Sequence, residues 1–171
     1  MYKRQIVISN KKLLSFTSLL DDLRTQLEDK RSGMQSIVAK NPQRVYTELN
    51  RIAYMVGSKY GVFLQLHFPD AKKMSDVESY GSENIGILVD KHRKRFPIDR
   101  DTIKEKAREL LGEVDTKDAY MYEGKEGLKI FLQEGRMDIL PGSINLWCRV
   151  DDKIKKFVDW LMVECYGIKT N

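Results

Sequence analysis

The residues best suited to chemistry in this chain are cations. The run KHRKR at 91–95 is its densest basic cluster and directly precedes a Phe-Pro pair. Lysines and arginines at this density neutralise successive phosphates, whereas enclosing one phosphate would require a glycine-rich loop. The candidate nucleic-acid-binding residues of this cluster are Lys91, Arg93, Lys94 and Arg95. The alternative is structural, because cations in a last helical turn complement the helix dipole.

A second polar group falls on one face of a helix predicted to begin at Asn41-Pro42. At 100° per residue, Arg44, Arg51 and Tyr54 share a column with Thr47 and Ser58, opposite an apolar stripe. Two arginines beside a tyrosine suit contact with successive phosphates and a stacked base. The alternative is an ordinary solvated helix face.

One pair of residues suggests catalysis. Glu123 and Lys125 have the spacing of the second half of a metal-dependent nuclease motif, in which a carboxylate holds magnesium and the lysine orients the attacking water. Asp70 or Asp115 would supply the first carboxylate, although the spacings are poor. A metal-dependent nuclease is therefore a candidate function, but it ranks below binding to nucleic acid and binding to a protein partner.

Other catalytic and metal-binding patterns are absent from the sequence. Cys148 and Cys165 lack CxxC spacing and a neighbouring histidine, so we expect two core residues in a reducing compartment. There is no GxxxxGK[ST], GxSxG or HExxH motif. We accordingly expect a non-enzymatic protein with no catalytic residue, metal or cofactor.

Composition favours one soluble domain spanning residues 1–171. The 171-residue chain has a net charge of +5 and is 42% hydrophobic and 32% charged, as ordinary globular proteins are. Its first 60 residues carry 11 lysines and arginines against 5 acidic residues, which suits nucleic acid or an acidic protein partner. No apolar run reaches the length of a signal peptide or membrane span, so we expect a cytoplasmic protein without membrane contact.

The elements that must position these residues follow from hydrophobic periodicity. Apolar stripes predict helices over about 10–30, 42–60, 83–95, 100–111 and 152–166. Strands are predicted near 5–9, 61–68 and 119–150, the last as an antiparallel meander, with a long connection over 69–82. The fold class is α+β, with four to five amphipathic helices packed with a small, mainly antiparallel sheet.

The segment 85–95 supports two interpretations. Ile85, Val89, His92 and Phe96 repeat at helical spacing, which predicts a helix with His92 pointing inward, although 85–89 also fits a buried strand. With the helix over 100–111 it would form a helix-turn-helix. The 19 residues RKRFPIDRDTIKEKARELL are loosely similar to the start of one helix-turn-helix in transposase-type and centromere-binding DNA-binding domains. They lack the downstream aromatic motif, so the similarity identifies no family.

The C-terminal helix provides a third surface. Trp160 and Val163 fall opposite its apolar stripe, on the side that carries Lys156. We expect the chain's own meander to cover Trp160 if the helix lies between two layers. Otherwise these three residues would bind a partner protein or the same helix of a second subunit.

The leading hypothesis is an accessory or regulatory protein that binds nucleic acid, with DNA favoured, through its basic helix faces. The rival is an inhibitor or adaptor that docks through Trp160 and uses its basic charge to approach an acidic partner.

Overall fold

Four helices and a six-stranded sheet form the described part of the chain. A computed structural model describes residues 15–32, 42–67 and 84–166. The helices are α1 (Phe16–Ser32), α2 (Pro42–Tyr60), α3 (Arg100–Leu111) and α4 (Asp152–Trp160), and α4 continues as a π-helical turn, Leu161–Cys165. The strands are β1 (Phe63–Leu66), β2 (Asn84–Leu88), β3 (Tyr120–Glu123), β4 (Leu128–Leu132), β5 (Gly135–Leu140) and β6 (Ser143–Cys148). The protein is therefore α+β.

The sheet is antiparallel throughout, in the order β1-β2-β6-β5-β4-β3. Strands β3 to β6 form the meander predicted over 119–150, and β1 lies within the strand predicted over 61–68. The register places Gly86 opposite Asn145 and Trp147 opposite Arg136. The strand predicted over 5–9 and the connection predicted over 69–82 lie outside the described residues.

One face of the sheet packs against the helices. Along β4, β5 and β6 more buried and more accessible residues broadly alternate, so one set of side chains enters the core and the other does not. The described residues of the apolar stripe on α1, among them Phe16, Leu19 and Leu23, are buried. Cys148 and Cys165 are buried, as predicted, and neither forms a disulfide within the described residues; burial raises the pKa of Cys165 to about 11.

Polar contacts fix the helices at both edges of this core. The side-chain amide of Asn50 on α2 pairs with the Leu66 backbone, accepting from its N–H at 2.7 Å and donating to its carbonyl at 3.4 Å. This contact occupies backbone groups of the edge strand β1. At the start of α1 the Asp159 carboxylate accepts from the Phe16 N–H and the Thr17 hydroxyl. Helices α1 and α4 are thereby joined.

Aspartate side chains cap the N-termini of α3 and α4. Asp99 caps α3 by accepting from the Asp101 N–H, and α3 stops at Gly112, where φ is +86°. Asp151 caps α4 by accepting from the Ile154 N–H at 2.9 Å. No described helix has the length and hydropathy that crossing a bilayer requires.

The prediction of a helix over 83–95 is wrong. Residues 84–88 are the strand β2, and an irregular segment follows. A strand forms here rather than a helix because Ile85 and Ile87 are both buried in the core and β2 pairs with β1 and β6. His92 consequently points outward and is exposed. The predicted helix-turn-helix is also wrong, since α3 has no preceding helix at that position.

Candidate nucleic-acid interface

The predicted basic cluster lies in a loop, residues 89–99, that is anchored to the turn between β5 and β6. The backbone N–H groups of Val89 and Asp90 both donate to the Gly142 carbonyl, at 2.8 and 3.0 Å. A Cβ atom on Gly142 would lie only 1.8 Å from the Asp90 carbonyl oxygen. Only glycine permits this approach, so the basic loop is held against the end of the sheet.

Tyr166 ties the same turn to the helical layer. Following the π-helical turn, its phenol lies 2.5 Å from the Leu140 carbonyl oxygen and 3.1 Å from that of Ser143 and donates to them. Burial raises the pKa of Tyr166 far above its ordinary value, so the phenol remains a donor across the accessible pH range. The Arg93 guanidinium lies over the ring, 5.7 Å from its centroid.

Beside this anchor lies a cavity of about 770 Å³, here called the basic cavity. Six cations line it, together with only two carboxylates, Asp90 and Glu126. Within the described ranges none of the six forms an ion pair, whereas Arg51, Arg108 and Arg136 do. The six cations are Lys91, Arg93, Lys94, Arg95, Arg100 and Lys125. Uncompensated positive charge around one concave surface attracts anions.

One of these cations is fixed in place. The Arg100 guanidinium donates to the Gly124 carbonyl at 2.8 Å and lies over the Phe96 ring, 5.2 Å from its centroid. Arg93 is restrained by Tyr166, and its Nη1 is buried without a hydrogen-bond partner in the part of the chain that the structure describes. Part of the positive charge is thus preorganised, which lowers the entropic cost of binding an anion.

The predicted column on α2 is solvent-exposed, as expected for Arg44, Thr47, Arg51, Tyr54 and Ser58. Arg51 pairs with Glu48 at 3.4 Å, and the Tyr54 ring meets that of Phe63 edge-on at 5.7 Å. At the rise of an α-helix, Arg44 lies about 15 Å along the axis from Tyr54. The column therefore extends from the rim of the sheet along α2.

The column and the basic loop meet. A depression of about 470 Å³ is lined by Tyr54 and Ser58 from α2 and by Lys91 from the loop. Its walls include Leu88, Asp90 and Lys91, which also line the basic cavity. The C-terminal part of the column, Tyr54 and Ser58, thus adjoins the basic loop, and Arg51 and Arg44 precede it along α2.

The sheet face that the helices leave uncovered, here called the open face, carries a row of aromatic rings. Across the strands the register aligns Trp147, Arg136, Phe131 and Tyr120. Tyr120 stacks on Phe131 with centroids 4.9 Å apart, and Arg136 lies over Trp147 at 5.8 Å. His67, just beyond β1, stacks on the Trp147 ring at 4.4 Å. Four aromatic rings are therefore arranged in two stacked pairs.

A second row on the open face is polar. The register aligns Asn145, Asp138, Lys129 and Tyr122. His67 Nε2 lies 3.3 Å from Asn145 Oδ1, and the two meet above Gly86, whose absent Cβ would lie 2.8 Å from both. Burial lowers the pKa of His67, so the imidazole is neutral near pH 7. Asp138 Oδ1 lies 3.0 Å from Arg136 Nε, an ion-pair distance without hydrogen-bond geometry.

A groove of about 360 Å³ joins the polar row to the basic cavity. Tyr122, Lys129 and Asp138 line its sheet side, while Lys125, Glu126 and Leu140 line both the groove and the cavity. The open face is therefore continuous with the basic loop. These sheet residues were not predicted, because the outward positions of the meander carry no motif that signals a function. Alternation in AYMYEG was the available signal, since it separates Tyr120 and Tyr122 from the core-facing Met121.

The predicted partner-binding residues lie on α4 and its π-helical continuation. Trp160 is partly buried, with the Phe157 ring 6.3 Å away and Lys106 Nζ of α3 lying 5.9 Å from its centroid. The helix α3 thus provides one neighbour of Trp160, and cover by the meander stays a prediction. Val163 is half-buried and Lys156 is exposed. A partner or second subunit at this surface stays a prediction.

The residues of the nuclease hypothesis are not brought together. Glu123 pairs with Lys104 at 3.8 Å, whereas Lys125 lines the basic cavity. Asp115 accepts from Arg108 at 2.8 Å, and Asp70 lies outside the described residues. Over residues 15–32, 42–67 and 84–166 no three His, Cys, Asp or Glu side chains cluster as a metal site would require.

Comparisons of the chain with protein-family models, with curated proteins and with solved structures found no significant match. The chemistry of this surface is therefore the basis for inferring a function.

Proposed function

We propose that this protein is a non-enzymatic, nucleic-acid-binding accessory or regulatory protein. The observation that carries the proposal is the set of six cations around the basic cavity, none of them paired with a carboxylate in the described part of the chain. Phosphates of a nucleic acid would supply the missing counter-charges. The exposed column on α2, with Arg44, Arg51 and Tyr54, extends this surface and adds phosphate contacts along a second direction.

The proposed contacts favour low sequence specificity. Lysine and arginine contacts with phosphates carry no direct sequence information, and the loop has no helix for a major groove. The protein would bind many sequences with similar affinity, and its affinity would fall steeply with salt because each neutralised phosphate releases counterions.

A salt titration tests the proposal. Anisotropy of a labelled 16-base-pair DNA duplex would be measured from about 50 to 300 mM NaCl, and the logarithm of the affinity plotted against that of the salt concentration. A slope of about −0.9 is expected for each phosphate neutralised, with at least three phosphates involved. No binding of the duplex or of its separated strands at low salt, or a slope no steeper than that of one contact, would overturn the proposal.

Charge-matched variants locate the site. The double variant Lys94→Ala/Arg95→Ala removes two exposed cations of the basic loop, and Lys117→Ala/Lys153→Ala removes two exposed cations near the opposite end of the strands. The first should weaken binding about tenfold or more and make the slope shallower by about two contacts. The second should change both quantities little. Equal effects of both variants would indicate that only net charge matters.

An acidic protein partner is the second candidate, because unpaired cations also attract carboxylates. Polyglutamate would serve as the probe in competition with the labelled duplex. If polyglutamate displaces the labelled duplex at a charge concentration equal to or below that needed with unlabelled duplex, an acidic partner is favoured. If polyglutamate displaces it only at a large excess over unlabelled duplex, nucleic acid is favoured.

A further inference from the structure

Two exposed tyrosines lie at the edge of the open face. Tyr122 and Tyr120 are 56% and 45% exposed, although large aromatic side chains are usually well covered. They are two residues apart on β3 and so point to the same side, about 7 Å from one another along the strand. Tyr120 is braced from one side by Phe131. Two exposed rings, one of them braced, offer faces on which flat, apolar rings can stack.

Cations flank this pair. Lys129 is paired across the strands with Tyr122 and is exposed, and Lys125 lines the groove that leads from Tyr122 to the basic cavity. Neither lysine forms an ion pair within the described ranges. A ligand with its rings on the tyrosines and its negative charges along the groove would complement both features. Such alternation of stacked rings and phosphates is the chemistry of a single-stranded nucleic acid.

We infer that the open face binds the bases of a single-stranded nucleic acid whose phosphates run through the groove into the basic cavity. This inference rests on the proposed function and names its substrate class. A duplex keeps its bases stacked inside, so it would engage the basic cavity and the α2 column but not Tyr120 and Tyr122. Single strands should therefore bind more tightly than duplexes of the same length.

The test compares three labelled probes at one salt concentration: oligo-dT of 12 nucleotides, a 12-base-pair duplex, and a 12-unit strand of abasic deoxyribose phosphates. Oligo-rU of 12 nucleotides separates RNA from DNA as the source of the strand. Wild type should bind oligo-dT at least tenfold more tightly than the duplex or the abasic strand. Equal binding of oligo-dT and the abasic strand would overturn the inference, since bases would then contribute nothing.

Tyrosine variants provide the second measurement. Tyr120→Ala/Tyr122→Ala should weaken oligo-dT binding at least tenfold, leave duplex binding within twofold, and leave the salt slope unchanged, because it removes stacking but no charge. Tyr120→Phe/Tyr122→Phe keeps both rings and should retain the affinity. If wild type binds the duplex and the alanine variant binds oligo-dT as tightly as wild type does, this inference is overturned and the proposed function stands. Absence of binding to every probe would overturn both.

Discussion

His67 stacks on Trp147 with ring centroids 4.4 Å apart and an angle of 18° between the planes. The contact joins the end of β1 to β6 across the open face, above Gly86. It also withdraws the imidazole from water, and this burial lowers its pKa. The charge state of one side chain is thus coupled to the packing of the open face.

This coupling predicts a pH dependence of stability. Because the folded state disfavours the imidazolium, the unfolded chain takes up the proton first as pH falls below 6.5, the ordinary pKa of histidine. Urea unfolding of wild type and His67→Gln at about pH 7.5 and 5.5 would measure the effect. Wild type should lose more stability than the variant, by under about 1 kcal/mol because His67 is only half buried. The prediction would be contradicted if wild type and His67→Gln lost the same free energy of unfolding between about pH 7.5 and 5.5.

Gly142→Ala should detach the basic loop. The new Cβ would overlap the Asp90 carbonyl oxygen, so the hydrogen bonds from Val89 and Asp90 to Gly142 would be strained or lost. We expect a loss of about 2–4 kcal/mol in the free energy of unfolding. Gly124→Ala is the matched control, because its Cβ would make ordinary contacts at 3.4 and 3.5 Å. Its cost should be within about 0.5 kcal/mol. Similar costs for both variants would refute the close-approach argument.

Tyr166→Phe should lower stability while preserving the ring beneath Arg93. The change removes the donor that satisfies the carbonyls of Leu140 and Ser143, which should cost about 1–2 kcal/mol. Tyr122→Phe removes an exposed hydroxyl and should cost under about 0.5 kcal/mol. Urea denaturation of both variants would make the comparison, and a neutral Tyr166→Phe would show that the buried hydroxyl contributes no net stability.

Asn50→Ala should loosen the edge of the sheet. The substitution leaves the Leu66 N–H and carbonyl without the amide that pairs with them, at a cost of about 1–3 kcal/mol. Asn50→Asp keeps the acceptor but loses the donor, so its stability should fall between wild type and alanine. Hydrogen exchange at the Leu66 amide would report the effect directly. Unaltered protection in Asn50→Ala would exclude the predicted role.

Much of the fold was predictable because amphipathic periodicity is a local property. An apolar stripe such as Phe16, Leu19 and Leu23 identifies the buried face of its helix. The glycines Gly135 and Gly142 likewise mark turns of the meander. The prediction over 85–95 failed because Ile85 and Ile87 belong to a strand, while Val89, His92 and Phe96 belong to the following loop. Helical spacing arose by joining residues of two different elements. Only pairing with β1 and β6 distinguishes the alternatives, and pairing is not local.

The candidate site was partly predictable for the same reason. Cations such as Lys94 and Arg51 are visible in the sequence, and both proved exposed. The basic cavity is not visible in the sequence. It forms because the basic loop bonds to Gly142, about 50 residues further along the chain. The stacking of His67 on Trp147 likewise depends on β2 lying between β1 and β6.

The sheet is assembled from two sequence-local parts, the β1–β2 hairpin and the β3–β6 meander, that meet along a single ladder between β2 and β6. Closing this ladder brings together segments separated by the basic loop, α3 and most of the meander, so it carries the largest loop-closure entropy of any strand pairing in the sheet. We expect it to form late and to limit the folding rate. The rate-limiting step would then be the one that completes the basic cavity, because β2 and the β5–β6 turn both contribute to its walls.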